Sequence, residues 1–298
     1  MNKLNVAPPY CLVQSRHGWM LANLNDIYMG AAIATYGECN ELELAVLLAL
    51  AEFPGTVVEV GANMGIHTVP LARALQQKGR QLVAFEPQPI VFQQLCANLA
   101  VNGLMNVTAW PFACGEEKGV VTFPRPDYRK TGNFGGISMS SAAPVAENAC
   151  VLAPCIRLDD MLQHERIGLL KIDVEGFELR VLKGSCALIQ RSRPLLYVEN
   201  DRVDHSRGLI EWLWGAGYNL WWHMPPLFNP HNFFGVASNL YGGIASFNML
   251  GVPREANLVV PAQLMKVEDC NYHPLRPLPP APNAATCQVL EQMRLQSD

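Results

Sequence analysis

Charge is scarce in this sequence: charged residues make up 16% of its 298 residues, and the formal net charge at pH 7 is −4. No run of lysine or arginine is long enough to follow a phosphate backbone, so we expect no nucleic-acid partner. No apolar stretch approaches the roughly 20 residues that span a bilayer, and the stretch 1–18 lacks the apolar core of a signal peptide. We therefore expect a cytoplasmic protein with no membrane partner.

Close cysteine pairs are absent as well. The nine cysteines are scattered, their number is odd, and no CxxC pair occurs. We expect reduced, mostly buried thiols, and no zinc site, because zinc needs ligands at close spacing. Half of the residues are hydrophobic, which is enough for a sizeable core in one large α/β domain or two small ones.

Short aliphatic runs alternate with helical patterns in the middle of the chain. The five strand runs are TVVEV (56–60), QLVAF (81–85), VTAW (107–110), GLLKI (168–172) and LLYVE (195–199). Helices are predicted over 89–103, with Pro89 in the first turn and Gly103 just past the end, and over 205–218. Strands that alternate with helices predict an α/β fold with a doubly wound parallel sheet, covered by helices on both faces.

The order of these segments predicts how the chain is organised. Three regions are expected: an irregular arm with a helical cap (1–54), the α/β domain (55–270) and a Pro-rich tail (271–298). In the cap, segment 40–53 has helical spacing, with Asn40 placed as its N-cap. Two long polar loops, 124–150 and 224–242, are expected to lie near the functional site.

The stretch VVEVGANMGIHTVPLA, from Val57 to Ala72, combines a strand, two glycines and a helical pattern. In a doubly wound sheet, such a turn at the carboxyl end of a strand lies beside the ligand. Gly61 allows a tight turn and Gly65 allows a close approach. Glu86 ends the second strand about 20 residues further on, where an acid accepts hydrogen bonds from ribose hydroxyls. The pattern therefore predicts a cofactor with a ribose.

The residues around the turn distinguish between two cofactors. A dinucleotide favours G-x-G-x-x-G, but here Asn63 replaces the second glycine and Glu59 precedes the turn. An acid at that place repels a pyrophosphate and attracts a cation. S-adenosylmethionine has a sulfonium, an amino group and a ribose, and it has no phosphate. A nicotinamide-dependent oxidoreductase and a catalytically silent binding module with the same fold stay open as alternatives.

Several motifs occur in an order that resembles one family. They are VVEVGANMGIHTVPLA, AFEPQP, NVTAWPFACGEEKG, CIRLDDM, LLKIDVEGFELRVLKG and LLYVEN, between about Tyr36 and Asn200. The chain resembles the FkbM-type S-adenosylmethionine-dependent methyltransferases. The resemblance implies a class I methyltransferase (Rossmann-like) fold, with a mostly parallel seven-stranded sheet whose last strand is antiparallel. It also implies O-methylation of a hydroxyl on a sugar, a glycan or a secondary metabolite.

The resemblance also implies a set of cofactor-binding residues. The methionine end would be lined by Glu59, Gly61, Ala62, Asn63, Met64 and Gly65, and Thr68 would also bind the cofactor. Glu86 and Pro87 would lie at the ribose, and Asp173 next to the reactive methyl group. The adenine would lie near Asn106, Val107, Phe112, Ala113 and Cys114. Cys114 departs from the family, which more often has Ser, Gly or Val at that position.

Methyl transfer to an alcohol needs a base or a metal, because a neutral hydroxyl is a poor nucleophile. The candidate catalytic residues are Asp173, Glu175, Glu199 and His223. Neighbouring strand ends lie about 5 Å apart, so Asp173, Glu199 and Asn200 could hold one Mg²⁺ ion. In a metal-free arrangement, Asp173 or a nearby histidine takes the proton. Both arrangements stay open.

The acceptor is expected to contact the second polar loop. Its mixture of aromatic and amide side chains suits a polyhydroxylated ligand, and the candidates are Asn229, Asn232 and Phe233. The nucleic-acid amine methyltransferases carry an Asp/Asn-Pro-Pro-aromatic motif after the fourth strand, where this chain has DVEG. This difference argues against methylation of a nucleic-acid base.

Overall fold

A computed structural model describes residues 3–139, 150–261 and 264–276. Its strands are β1 Lys3–Asn5, β2 Tyr10–Ser15, β3 Gly18–Asn23, β4 Thr56–Val60, β5 Leu82–Phe85, β6 Val107–Trp110, β7 Ala113–Cys114, β8 Gly119–Pro124, β9 Cys150–Ile156, β10 Ile167–Ile172, β11 Leu195–Glu199, β12 Tyr218–His223, β13 Asn248–Pro253 and β14 Met265–Lys266. Its helices are α1 Met29–Tyr36, α2 Glu41–Leu50, α3 Thr68–Gln76, α4 Pro89–Val101, α5 Leu158–Met161, α6 Glu178–Lys183, α7 Cys186–Ser192 and α8 Val203–Gly215.

One large sheet organises the molecule, with the strand order β14-β12-β13-β11-β10-β4-β5-β6. Strands β6, β5, β4, β10 and β11 are parallel, and β13 runs antiparallel between β11 and β12. The predicted mostly parallel sheet of seven strands with a reversed last strand is confirmed. The two-residue strand β14 adds an eighth strand at the edge beyond β12.

The central strands carry apolar residues at successive positions, apart from Glu59 in β4 and Lys171 in β10, because both faces of the sheet are covered. Val57 and Leu169 pack in the hydrophobic core on one face, and Val58 and Leu170 pack in the core on the other face. Adjacent residues of a strand point to opposite faces, so a strand with two buried faces needs apolar residues at successive positions. This explains why the runs around these residues lack alternation.

The sequence suggested an irregular N-terminal arm, but the arm forms a three-stranded antiparallel sheet, β1-β2-β3. Polar side chains in and just after α4 fasten it to the domain: Asn98 accepts a hydrogen bond from the backbone N–H of Leu21 at 2.6 Å, and Asn102, the residue after α4, accepts one from the backbone N–H of Trp19 at 3.0 Å. The helical cap follows as α1 and α2. Asn40 precedes α2 in a left-handed conformation without a side-chain cap bond, so its predicted capping role is wrong.

The two predicted loops and the tail are only partly described. Loop 124–150 connects β8 to β9, which pair antiparallel in a second three-stranded sheet, and its residues 140–149 lie outside the described residues. Residues 277–298 of the tail also lie outside them. His273 is buried, with its Nε2 2.9 Å from the carbonyl oxygen of Asn200, so the first residues of the tail pack on the domain. Within the described part of the chain, no helix is both long and apolar enough to cross a membrane.

Replacement of Asn98 by alanine tests how the N-terminal sheet is held. Asn98 is fully buried, and it also donates a hydrogen bond to the carbonyl oxygen of Met64 at 2.8 Å. Asn98→Ala leaves two backbone groups without partners, and we expect the free energy of unfolding in urea to fall by about 2–4 kcal/mol. Val101→Ala, at an exposed position of α4, is the control and should change it by less than about 0.5 kcal/mol. Equal effects of the two substitutions would contradict this role.

Candidate active site

The glycine turn after β4 lies directly against the carboxyl end of β10. Gly61 has φ 85°, and a Cβ atom there would come within 1.8 Å of the carbonyl oxygen of Asp173. The backbone N–H groups of Gly61 and Ala62 both donate to the carbonyl oxygen of Phe85, the last residue of β5. The turn therefore needs glycine for two reasons, its positive φ and this close backbone approach. It brings the ends of β4, β5 and β10 together.

Glu86 is held in one orientation by backbone amides. Its Oε2 accepts a hydrogen bond from the N–H of Asn63 at 2.9 Å, and its Oε1 accepts one from the N–H of Gln88 at 2.8 Å. Burial raises the pKa of this carboxyl to about 7, although both hydrogen bonds lower it. Each oxygen keeps a second lone pair, so the carboxylate can also accept hydrogen bonds from a ligand.

The turn and Glu86 line a cleft of about 660 Å³, including the space at its open mouth, which we call the cofactor cleft. The predicted residues that line it are Glu59, Gly61, Ala62, Asn63, Glu86, Pro87, Asp173 and Glu175. Met29, Asn40, His67, Gln88, Ile137 and Lys171 also line it. The prediction of a ligand site at this switch point of the sheet agrees with this geometry.

Other predicted cofactor residues do not line the cleft. They are Met64, Gly65, Thr68, Asn106, Val107, Phe112, Ala113 and Cys114. Asn106 precedes β6 at the amino ends of the strands, and its side chain donates to the carbonyl oxygens of Ala72 and Arg80. It therefore lies at the edge of the sheet opposite the ligand. Thr68 is fully buried and acts indirectly, since its hydroxyl donates to Glu59 at 2.7 Å.

A buried lysine, Lys171, lies beside the carboxylates of Glu59 and Asp173. The sequence analysis did not identify it. The Nζ atom of Lys171 is 3.0 Å from Oδ2 of Asp173 and 3.5 Å from Oε1 of Glu59. Burial alone would lower the pKa of Lys171, but Asp173, Glu59 and Glu43 together outweigh it and raise the pKa. Lys171 therefore remains charged. A lone lysine within GLLKI, a strand predicted to be buried, was the signal that could have identified it.

A second missed residue, Glu43, reaches the site from the cap helix α2. Its side chain is 2% exposed, and Oε1 has no hydrogen-bond partner among the described residues. The nearest imidazole atom is Nε2 of His67, 4.0 Å away and also without a partner among them. Burial raises the pKa of Glu43 to about 7 and lowers that of His67 well below its usual value. His67 is therefore neutral, and the pair is not a salt bridge at neutral pH.

Three carboxylates meet where β10 and β11 end. One carboxylate oxygen from each of Asp173, Glu175 and Glu199 lies within 4.8 Å of the other two. Burial and then the charge of Asp173 raise the pKa of Glu175 to about 8, and the same causes raise that of Glu199. Glu175 is paired with Arg202. At neutral pH this cluster shares protons or faces a cation, because close carboxylates resist simultaneous ionisation.

Asn200 does not join the carboxylates, so the predicted set of metal ligands is wrong at this residue. Its Nδ2 donates to the hydroxyl of Ser206 at 2.9 Å and lies 3.3 Å from the sulfur of Met249. Adjacent residues of an extended chain point to opposite sides, so Asn200 turns away where Glu199 turns inward. Glu175, held at φ 56°, takes the third position.

His223 lies outside both clefts of the site. It ends β12, and its Nδ1 is 2.7 Å from the hydroxyl of Tyr197. Burial lowers the pKa of His223, so the imidazole is neutral at pH 7. The structure does not bring it to the carboxylates, and it is not placed to act as the base.

A larger cleft adjoins the cofactor cleft, and we call it the acceptor cleft. Its volume is about 1200 Å³, including the space at its open mouth, and it shares Asp173 and Glu175 with the cofactor cleft. Other residues that line it are Tyr28, Cys39, Glu43, Asn133, Glu199, Asp201, Arg202, Leu227, Tyr241, Ser246, Phe247 and Asn248. All three carboxylates line this cleft, whereas the glycine turn lines only the cofactor cleft.

The predicted acceptor residues lie elsewhere in loop 224–242. Asn229 donates to Oε1 of Glu38 at 2.7 Å, and the backbone N–H of Phe233 donates to Oε2 of Glu38 at the same distance. Asn232 is buried and holds its own loop through Val236. These residues fasten the loop to the N-terminal part. The loop does contribute to the acceptor cleft, but through Leu227 and Tyr241.

Comparison with known proteins agrees with this architecture. Residues 59–220, which are more than half of the chain, match the model of the methyltransferase FkbM domain. The chain belongs to the FkbM methyltransferase domain family. Its resemblance to FkbM-type enzymes is thereby confirmed, and the match begins at Glu59, near the end of β4, and includes β10 and β11.

Individual relatives are similar over part of the chain. The protein is 32% identical over 219 residues to 31-O-demethyl-FK506 methyltransferase FkbM of Streptomyces tacrolimicus, covering 64% of this chain and 83% of that relative. It is 30% identical over 157 residues to methyltransferase sdnD of Sordaria araneosa, covering 43% of this chain and 59% of that relative. A crystal structure of methyltransferase FkbM from Methylobacillus flagellatus is 17% identical, with a TM-score of 0.44, covering 66% of this chain and 43% of that one.

Removal of the buried ammonium tests the electrostatics of the site. Lys171→Met leaves carboxylates without their cation, and we expect a loss of about 3–5 kcal/mol in the free energy of unfolding at pH 8. Without Lys171 the pKa values of Glu59 and Glu43 rise further, so the folded state binds more protons than the unfolded state. The lost stability should therefore be smaller at pH 5 than at pH 8.

Denaturant titrations at the two pH values measure this difference. Lys78→Met is the matched control, because Lys78 is half-exposed and pairs with Glu52 at the surface. It should change the free energy of unfolding by less than about 0.5 kcal/mol at either pH. A loss in Lys171→Met that does not depend on pH would contradict the role of Lys171 as the counter-ion of these carboxylates.

Proposed function

We propose that this protein transfers a methyl group from S-adenosylmethionine to a hydroxyl of a small-molecule or glycan acceptor. The observation that carries the proposal is the pair of adjoining clefts at the carboxyl ends of the strands, which share Asp173 and Glu175. One cleft has the glycine turn and a fixed acid for a ribose, and the other has room for an acceptor. The shared carboxylates stand where the reacting atoms would meet.

The cofactor cleft suits S-adenosylmethionine in its chemistry. Glu86 can accept hydrogen bonds from ribose hydroxyls through the lone pairs that its two backbone bonds leave free. Glu59 and Asp173 bring negative charge, which favours the cationic methionine end and opposes the pyrophosphate of a nicotinamide cofactor. When bound, the cofactor supplies an electrophilic methyl group. Family membership and this charge favour methyl transfer over the oxidoreductase alternative.

The carboxylate cluster supplies a route for the acceptor's proton. A general base works best when its pKa lies near the operating pH, and the pKa of Glu175 is raised to about 8. Asp173 is adjacent, faces both clefts and is held by the ammonium of Lys171 at 3.0 Å. We infer that Asp173, Glu175 and Glu199 together accept the hydroxyl proton, with the pair Glu175–Arg202 fixing one side of the cluster.

A divalent metal is the other arrangement that these carboxylates allow. Asp173, Glu175 and Glu199 are the residues that would hold Mg²⁺, and it would lower the pKa of the attacking hydroxyl. Two of the three already face a cation, Lys171 or Arg202, and the amide of Asn200 points away. The donor set therefore fits Mg²⁺ poorly, and we favour the metal-free reaction.

The ribose assignment is tested at Glu86. Glu86→Ala removes two charge-assisted hydrogen bonds to the cofactor, each worth about 1.5–3 kcal/mol, so the Kd for S-adenosylmethionine should rise at least about tenfold. Isothermal calorimetry measures it. Because Glu86 also holds the amides of Asn63 and Gln88, circular dichroism and thermal unfolding must show that the variant is folded. An unchanged affinity for S-adenosylmethionine in a folded variant would contradict the assignment of Glu86 to the ribose.

Metal dependence is tested by chelation. In the metal-free reaction, methyl transfer should continue at full rate after exhaustive treatment with EDTA, and added Mg²⁺ or Mn²⁺ should leave the rate unchanged. The rate is followed with a radiolabelled methyl group. If EDTA stops turnover and Mg²⁺ restores it, the carboxylates hold a metal and our mechanism is wrong. Glu199→Gln should then raise the Mg²⁺ concentration that is required.

A further inference from the structure

One carboxylate that lines the acceptor cleft is incompletely paired. Oε1 of Glu43 has no hydrogen-bond partner among the described residues, and Glu43 is only 2% exposed. The side chains of Ser246 and Asn248, which line the same cleft, face this carboxylate and lower its pKa by hydrogen bonding. Buried polar atoms are almost always paired, because an unpaired one costs about 1–3 kcal/mol. A donor group of a ligand in this cleft would therefore complete the hydrogen bonding of Glu43.

The charge around these atoms is strongly one-sided. The described lining of the cleft contains five carboxylates, from Glu43, Asp173, Glu175, Glu199 and Asp201, and one cation, Arg202. The buried Lys171 lies beneath Asp173 but is shared with Glu59 on the cofactor side. A low-dielectric cleft with this excess of acids favours a positively charged ligand.

Glu43 stands apart from the carboxylates that could hold a metal. The cluster with ligand atoms close enough for one ion contains Asp173, Glu175 and Glu199, and Glu43 is not part of it. A metal ion there would leave the oxygen of Glu43 unpaired. An organic ammonium group has three donors, which can satisfy Glu43 without ordered coordination. Tyr28 and Tyr241 also line the cleft, and aromatic rings suit both sugar-like rings and organic cations.

We propose that the acceptor is a hydroxylated compound that also carries a protonated amine, such as an amino sugar or an aminocyclitol, and that Glu43 binds this amine. The proposal rests on the proposed function, since it names the substrate class of the same site. The hydroxyl that receives the methyl group lies at the shared carboxylates, and the amine lies toward the cap helix α2.

Matched pairs of compounds test the charge preference. The probes are a panel of amino sugars and aminocyclitols, each paired with its N-acetylated form, which keeps the ring but removes the charge. Binding to the protein saturated with S-adenosylhomocysteine is measured by NMR titration in the presence of EDTA. At least one amine should bind about tenfold or more tightly than its N-acetylated partner. A panel in which no amine exceeds its partner, including a panel without binding, contradicts the proposal.

Two variants assign the preference to Glu43. Glu43→Gln keeps the size of the side chain and removes its charge, so the preference for the amine should fall below about threefold. Glu41→Gln is the same change on the same helix, at a residue that pairs with His17 instead of lining either cleft, and it should keep the full preference. An unchanged preference in a folded Glu43→Gln would overturn the proposal.

Two further measurements separate this proposal from its alternatives. If Mg²⁺ alone binds the protein and Glu43→Gln abolishes that binding, Glu43 serves a metal and the proposal is wrong. Methyl transfer is measured separately from binding, with labelled S-adenosylmethionine. Amine-selective binding without methyl transfer to any compound would support the amine site and refute the proposed function. Methyl transfer to neutral acceptors alone would support the proposed function and refute the amine site.

Discussion

The buried ammonium of Lys171 is the interaction on which the rest of the site depends. It lies near the middle of the large sheet, between Glu59 on β4 and Asp173 just after β10. A buried charge costs several kcal/mol unless it is paired, so the ends of these two strands must stay in register for the ion pairs to form. The contact between Gly61 and the carbonyl oxygen of Asp173 fixes the same two strand ends. Electrostatics and backbone packing therefore hold the glycine turn in one place.

The central fold could be predicted from the sequence because its signal is local. Successive aliphatic residues around Val57, Leu169 and Leu196 identify strands with two buried faces, and alternation with helices implies a parallel sheet. The N-terminal sheet could not be found in this way. Its edge strand β3 is held by the side chains of Asn98 and Asn102, which lie 77 and 83 residues further along the chain than the backbone groups they bind. Such tertiary hydrogen bonds leave no local pattern.

The site was predictable where strand direction decides it. Glu59, Glu86 and Asp173 lie at carboxyl ends of parallel strands, and the structure brings all three to one cleft. The prediction of Asn106 near the adenine failed because this residue precedes its strand. The prediction of Asn200 as a metal ligand failed because this residue is one position past an inward-facing one. In the first case the residue lies at the wrong edge of the sheet, and in the second its side chain points to the wrong side of the strand. A list of motif residues specifies neither.

The contributions of the cap and of the acceptor loop depend on packing between segments that are far apart in the sequence. Glu43 enters the site because α2 packs near α3 against the sheet, and nothing in ELELAVLLAL distinguishes it from the more exposed Glu41 on the same helix. Asn229 resembled a sugar-binding residue, yet it is used to fasten its loop to Glu38. An acceptor site formed by loops is therefore the part of the molecule that sequence reasoning locates least well.

Methyl transfer to oxygen is the central claim, and a product analysis tests it most directly. The protein is incubated with S-adenosylmethionine labelled with ¹³C at the methyl group and with a library of sugars, aminocyclitols and hydroxylated metabolites, and the products are examined by NMR. The two adjoining clefts and their shared carboxylates predict a new ¹³C signal in the region of methyl ethers, with coupling to a carbon that carried a hydroxyl. A label found only on nitrogen or carbon, or no transfer by a protein that binds the cofactor, would contradict it.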